Sequence, residues 1–170
     1  MKILKKALIY DISNMAYVIA DTGEPVNHNL HKVRDICQEG NIDRVSRVLG
    51  LAYSNVLAAL LPVLRMPRLD TGKDCSAKPH DYEICLRDDR GWRHVITPER
   101  KLKIKETVHE YMVCMVLYDW LGVTLPPAAD VWKYRGDEAF GSLQELVEEI
   151  CGEMAENSMN GGFRRKLSPF

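Results

Sequence analysis

The chain has 170 residues, the size of one ordinary domain, and with 46% hydrophobic residues it has enough apolar material to fold without staples. Lysine and arginine number 23 against 24 acidic residues, a formal net charge of −1. That balance argues against a general nucleic-acid or anionic-membrane binder, both of which need a positive field, while leaving room for a local basic patch.

Five cysteines, Cys37, Cys75, Cys85, Cys114 and Cys151, are scattered and odd in number. Cys37, Cys114 and Cys151 sit inside apolar patterns, where a thiol acts as a small hydrophobe. A reducing, cytoplasmic setting without a disulfide framework is expected. The apolar stretch after Lys5-Lys6 stops at Asp11 and no cleavage-site pattern follows, so a signal peptide is not expected. The longest apolar run, Tyr111 to Tyr118, is far short of the ~20 residues of a membrane span.

Along the chain, Leu4, Leu8, Ile12, Met15 and Ile19 recur at helical spacing and predict a helix over residues 4–20, stopped by Asp21-Thr22-Gly23. A second helix is expected over 29–37, with Leu30, Val33 and Cys37 inward, Gly40 as its stop and Asn41 as the next N-cap. The third helix has the clearest stripe: Ile42, Val45, Leu49, Ala52, Val56, Ala59 and Val63 alternate three- and four-residue steps. Pro62 should end or kink it. Residues 66–81 lack periodicity and read as a long polar loop.

A β-hairpin is expected over 82–97. Tyr82, Ile84 and Leu86 alternate with polar residues, as do Trp92, His94 and Ile96. A loop Asp89-Arg90-Gly91, with Gly91 left-handed, would pair Leu86 with His94 and Ile84 with Ile96. Thr97-Pro98-Glu99 then opens a helix to about Leu121, with Gly122 as its stop. The second half of that helix, YMVCMVLY, is apolar all round and should be the buried centre. Pro126-Pro127 opens the last helical region, striped by Phe140, Leu143, Val147, Ile150 and Met154 with a glutamate-rich opposite face. Gly136 and Gly141 are the positions where it would divide in two. The fold class expected is therefore a mainly α helical bundle with one inserted β-hairpin, a single domain over 1–156, and a flexible basic tail over 157–170.

Several constellations resemble chemical motifs. Asp-Thr-Gly occurs at Asp21-Thr22-Gly23 and at Asp70-Thr71-Gly72. Aspartic proteases present a shared-proton carboxylate pair on that triplet, but in an almost entirely β chain, which the helical stripes contradict. Cys75, His80 and Cys85 match three ligands of a zinc-knuckle spacing, yet Gly72 stands where the first cysteine belongs, and His94 would face away from Cys85 in the expected hairpin. His28 and His31 lack a third ligand at helical reach, and His109 reads as a rim residue. No phosphate loop, dinucleotide fingerprint or serine elbow occurs. No catalytic residue, metal, cofactor or small-molecule substrate is assigned.

Residues 45–61 carry the spacing of a helix-turn-helix, in which Tyr53, Ser54 and Asn55 would read DNA; Leu57, Ala58 and Ala59 crowd that surface, and one helix through Gly50 accounts better for the stripe. A small zinc protein is the second alternative. The tail holds Phe163, Arg164, Arg165 and Lys166, an arm able to order on an acidic partner. The C-terminal half, VLYDWLGVTLP followed by AADVWKYRGDEAFGSLQELV, resembles small helical virion-assembly proteins of tailed phages and prophages, of the head–tail connector or neck type. The segment GNIDRVSRVLGLAYSNV adds to that likeness. The resemblance implies a ring-forming helical protomer and carries over no functional residue. The reading favoured is a non-catalytic structural or interaction protein, cytoplasmic or in a virion, that self-associates or binds a protein. Trp92, Trp132 and Phe163 are its expected anchors, with the basic tail as a further contact.

Overall fold

The computed structural model describes residues 1–22, 30–65, 81–89 and 91–165, the last six of these as backbone. Among them are five α-helices: α1 (Lys5–Thr22), α2 (Leu30–Arg34), α3 (Ile42–Leu60), α4 (Pro98–Thr124) and α5 (Pro126–Arg165). Strands β1 (Lys2–Leu4) and β2 (Asp81–Glu83) form one antiparallel sheet. The class is mainly α with a single small sheet, as the apolar periodicities imply.

The centre is α4. Thr97 caps it, its Oγ1 accepting from the Arg100 N–H at 3.3 Å, and Pro98 is the first helical residue. Ile104, Val108, Met112, Cys114, Leu117 and Leu121 are fully buried. The helix passes through Gly122 and ends at Thr124 instead. Leu125, at φ −149°, precedes Pro126, whose ring disfavours helical backbone at the residue before it. The chain then reverses at once, so α5 runs antiparallel to α4: Glu110 meets Arg135, Tyr111 meets Phe140 and Arg100 meets Glu153.

No break occurs at Gly136 or Gly141. Each glycine costs a helix about 1 kcal/mol, and burial of Leu143, Leu146, Val147 and Ile150 outweighs it. At Gly136 the absence of a side chain is used: a Cβ there would stand 3.4 Å from the Cys114 Cβ. The helix also continues past residue 156, where a flexible tail is expected from the sequence. Extending a formed helix adds a hydrogen bond per residue without a new nucleation cost.

Helix α3 is continuous through Gly50 and passes into a 3-10 turn at Leu61–Val63, with Pro62 at the change. It packs Val45, Val48, Leu49, Ala52, Val56 and Leu60 inward. By length and composition Ile42–Val63 is apolar enough to cross a membrane. A core helix meets the same criterion, and this one exposes Asp43, Arg47, Ser54 and Asn55 along its outer side. Helix α1 buries Leu8, Ile12, Ala16 and Ala20, so its inner face is rotated from the one expected: Met15 is 40% exposed, and Leu4 belongs to β1. In α2 and the 3-10 turn after it, Val33 and Ile36 are buried and Cys37 is half-buried.

The strand pairing differs from the expected hairpin over 82–97. Tyr82 and Ile84 do alternate inward, but β2 pairs with the N-terminus, Ile3 opposite Tyr82. The segment continues to Leu86, which bridges Leu64 on the other side. Residues Trp92–His94 form a 3-10 turn, and Gly91 is right-handed at φ −74°. The physical reason is visible in burial: Val95 and Ile96, adjacent in sequence, are both buried, which alternating strand geometry forbids when one face is wet.

Polar bonds join these elements at their edges. The Asp81 carboxylate accepts from the Lys5 N–H at 3.1 Å and pairs with Lys2 at 2.9 Å, so β2 supplies the cap of α1. Trp120 Nε1 donates to the Val33 carbonyl at 3.2 Å, tying α2 to α4. His109 meets Asp11 at 2.7 Å, tying α1 to α4.

Candidate interaction surface

Most sequence-derived site residues are committed to contacts within the chain. Trp132 is 8% exposed, a core ring with the Arg135 guanidinium 4.7 Å from its centre. Trp92 is partly buried beneath the Arg87 guanidinium, at 5.0 Å. Phe163, Arg164 and Arg165 lie on the final residues of α5, and Lys166 lies outside the described residues. The expectation that both tryptophans anchor a partner is corrected for Trp132, whose burial is already complete in the single chain.

The DNA-reading residues fare similarly. The Tyr53 hydroxyl donates to the Glu83 carbonyl and its ring lies 4.9 Å from Tyr82; burial pushes its pKa upward. Ser54 donates to the Gly50 carbonyl at 3.0 Å, and Asn55 to the Tyr111 hydroxyl at 3.2 Å. Residues 45–60 form one helix, so the turn required between two DNA-binding helices does not occur there.

Candidate chemical groups are similarly engaged. Asp21 pairs with Arg34 at 3.1 Å and Thr22 bonds back to the Val18 carbonyl, so the first Asp-Thr-Gly begins as the last turn of a helix. Gly23, the second triplet Asp70-Thr71-Gly72, His28, Cys75 and His80 lie outside the described residues, as does the loop 66–80. Among the described residues no group of three or more His, Cys, Asp or Glu is placed to hold a metal ion. Cys114 is a core thiol: burial, reinforced by Glu110, pushes its pKa up to about 12.

Two concave surfaces lie among the described residues. One is a groove of about 510 Å³ between α4 and α5, walled by Glu106, Glu110, Arg135 and Glu138. Arg135 is bonded to Glu110 at 2.6 Å inside it, which neutralises part of the groove. The other is a cleft of about 550 Å³ where the start of α4 meets the extended segment after β2. Lys101, Leu102 and Lys105 form its helical wall, Cys85 and Leu86 its floor, and Arg65 and Asp88 its far edge. Arg65 and Asp88 approach only to 3.7 Å and both are exposed, so their mutual neutralisation is weak. Leu102 is 54% exposed at the lip. The cleft is thus a cationic recess with an apolar floor, able to receive a carboxylate-bearing surface with an apolar side chain beside it.

The sequence signals this recess only faintly. Lys101, Lys103 and Lys105 read as a solvated face; that two of them border a cleft depends on the pairing of residues 63–65 with 85–87, a contact distant in sequence. Compared with known protein families, curated proteins and solved structures, the chain matches none.

Proposed function

We propose that the protein is a non-catalytic assembly subunit that works by associating with protein, its own copies included. The observation that carries this reading is the outer face of α5. Val131, Tyr134 and Met159 are 60%, 71% and 71% exposed there, among carboxylates, on a helix 40 residues long. Large apolar and aromatic side chains held on a rigid element favour interface anchoring. Because α5 runs antiparallel to α4 and Arg100 meets Glu153, residues 156–165 extend beyond the start of α4 by about 15 Å. Such an overhang suits a subunit reaching a neighbour. The likeness of the C-terminal half to virion-assembly proteins of tailed phages and prophages supports the same use, in the cytoplasm before assembly and in the particle after it.

Light scattering coupled to size exclusion tests the proposal on the full chain. A defined oligomer, or a complex with a virion protein, is the expected result. A strict monomer that binds no protein overturns it.

A further inference from the structure

Among the described residues, two groups of like charge without ion pairs lie on separate faces. On α4, Arg100 faces α5 and bonds Glu149 and Glu153. At about 100° per residue, Lys101, Leu102 and Lys105 point between about 100° and 200° away from it, into the cationic cleft. Among the described residues neither lysine has an ion pair. On α5, Leu143 and Ile150 point into the core. Tyr134, Glu145, Glu148, Glu156 and Met159 fall within about 50° of the opposite direction, and all are exposed. These glutamates also have no ion pair among the described residues. The recess therefore lies away from the α5 side of α4, while the acidic ridge lies on the side of α5 remote from α4, and one chain does not bring them together.

We infer that the α4 cleft receives the acidic ridge of α5 from a second copy of this chain, head to tail. The inference rests on the assembly reading above and names its partner. Spacing supports it: Lys101 and Lys105 are one helical turn apart, as are Glu145 and Glu148, so two helices crossing at a shallow angle match both pairs. A heterologous contact of this kind uses different patches on each copy, so it propagates and closes into a ring if the rotation allows. A nucleic acid is the weaker candidate for the cleft, since Asp88 and the apolar floor interrupt its basic lining and the ridge would repel phosphate.

Charge reversal on the full chain tests this, read by sedimentation equilibrium at low salt with circular dichroism as the check on folding. Lys101→Glu with Lys105→Glu, and separately Glu145→Lys with Glu148→Lys, should each weaken self-association by about tenfold or more. Mixing these two variants should restore association, because the unaltered ridge of the first fits the unaltered cleft of the second and their two reversed patches complement each other. All four changes in one chain should restore association to near the original, which a merely misfolded variant would not do. If the unaltered chain associates and neither reversal changes its Kd, or if the fourfold variant fails to recover, the docking is wrong while self-association stands. An unaltered chain that remains monomeric overturns both. Duplex DNA binding lost with the lysines, with association unchanged, overturns the docking in favour of a nucleic-acid site.

Discussion

Gly50 sits in the middle of α3 with an ordinary right-handed backbone, and no heavy atom lies within 4 Å of the point where a Cβ would stand. A helix-turn-helix reading makes the same glycine a turn residue. Gly50→Ala separates the two uses. In a continuous helix it should stabilise the protein by about 0.5–1 kcal/mol, read as a raised urea midpoint at unchanged slope. A turn needing a left-handed residue would give destabilisation instead. Gly136 is different, because α4 passes close to it. Gly136→Ala places a methyl at ordinary contact distance from Cys114 and should be neutral or stabilising. Gly136→Leu should cost about 1–3 kcal/mol by forcing the helices apart. The same denaturation measurement distinguishes them. From sequence, the stripe from Ile42 to Val63 already carried the helix through Gly50, whereas Gly136 read as a place to divide the last helix; that Gly136 faces a neighbouring helix is decided by packing, which no local pattern encodes.

At the scale of elements, the start of α4 and the later part of α5 are clamped by Arg100. Its guanidinium bonds Glu149, Glu153 and the Val95 carbonyl. The hydrogen bond from Arg100 holds the Glu153 carboxyl below its ordinary value of 4.5. The folded state therefore keeps this charge to lower pH than the unfolded chain does. The stabilisation is fully present above pH 4.5 and fades as pH falls through the lowered folded value. Glu153→Gln should be less stable than the unaltered chain at pH 7, and the gap should narrow as acid is added below pH 4.5. Urea unfolding of both proteins across that range measures it; a gap independent of pH would mean Arg100 contributes through packing alone. Elements with long apolar stripes, α3 and α4, were legible because burial repeats every three to four residues and Thr97-Pro98-Glu99 marks a start. The sheet was not. Each strand has three residues and they pair across nearly half of the chain, Ile3 with Tyr82, so the local alternation in 92–97 suggested a nearer partner that helix entry at Thr97 preempts.

At the scale of the whole molecule, burial along α5 stops before its last described side chain, Met159. Ile150 is the last buried residue among those described, with Cys151, Glu153 and Met154 partly covered after it. Everything from Asn157 to Met159 is exposed. A chain stopped after Glu156 loses no core contact among the described residues, so its stability in urea should stay within about 0.5 kcal/mol of the parent's, the range for surface changes away from special features. Its association should fall, since Met159 and the helix that carries it project where a neighbour would be met. Raising salt should weaken what association remains, because exposed charge pairs across a rim are screened over about 8–10 Å. Sedimentation of the parent and the shortened chain at two salt concentrations checks both expectations. Unchanged association after truncation would confine the contact to the portion of α5 before residue 157. A large loss of stability would mean that the overhang is held by its own chain, and the projecting end of α5 would then be part of the fold and not a reach toward a neighbour.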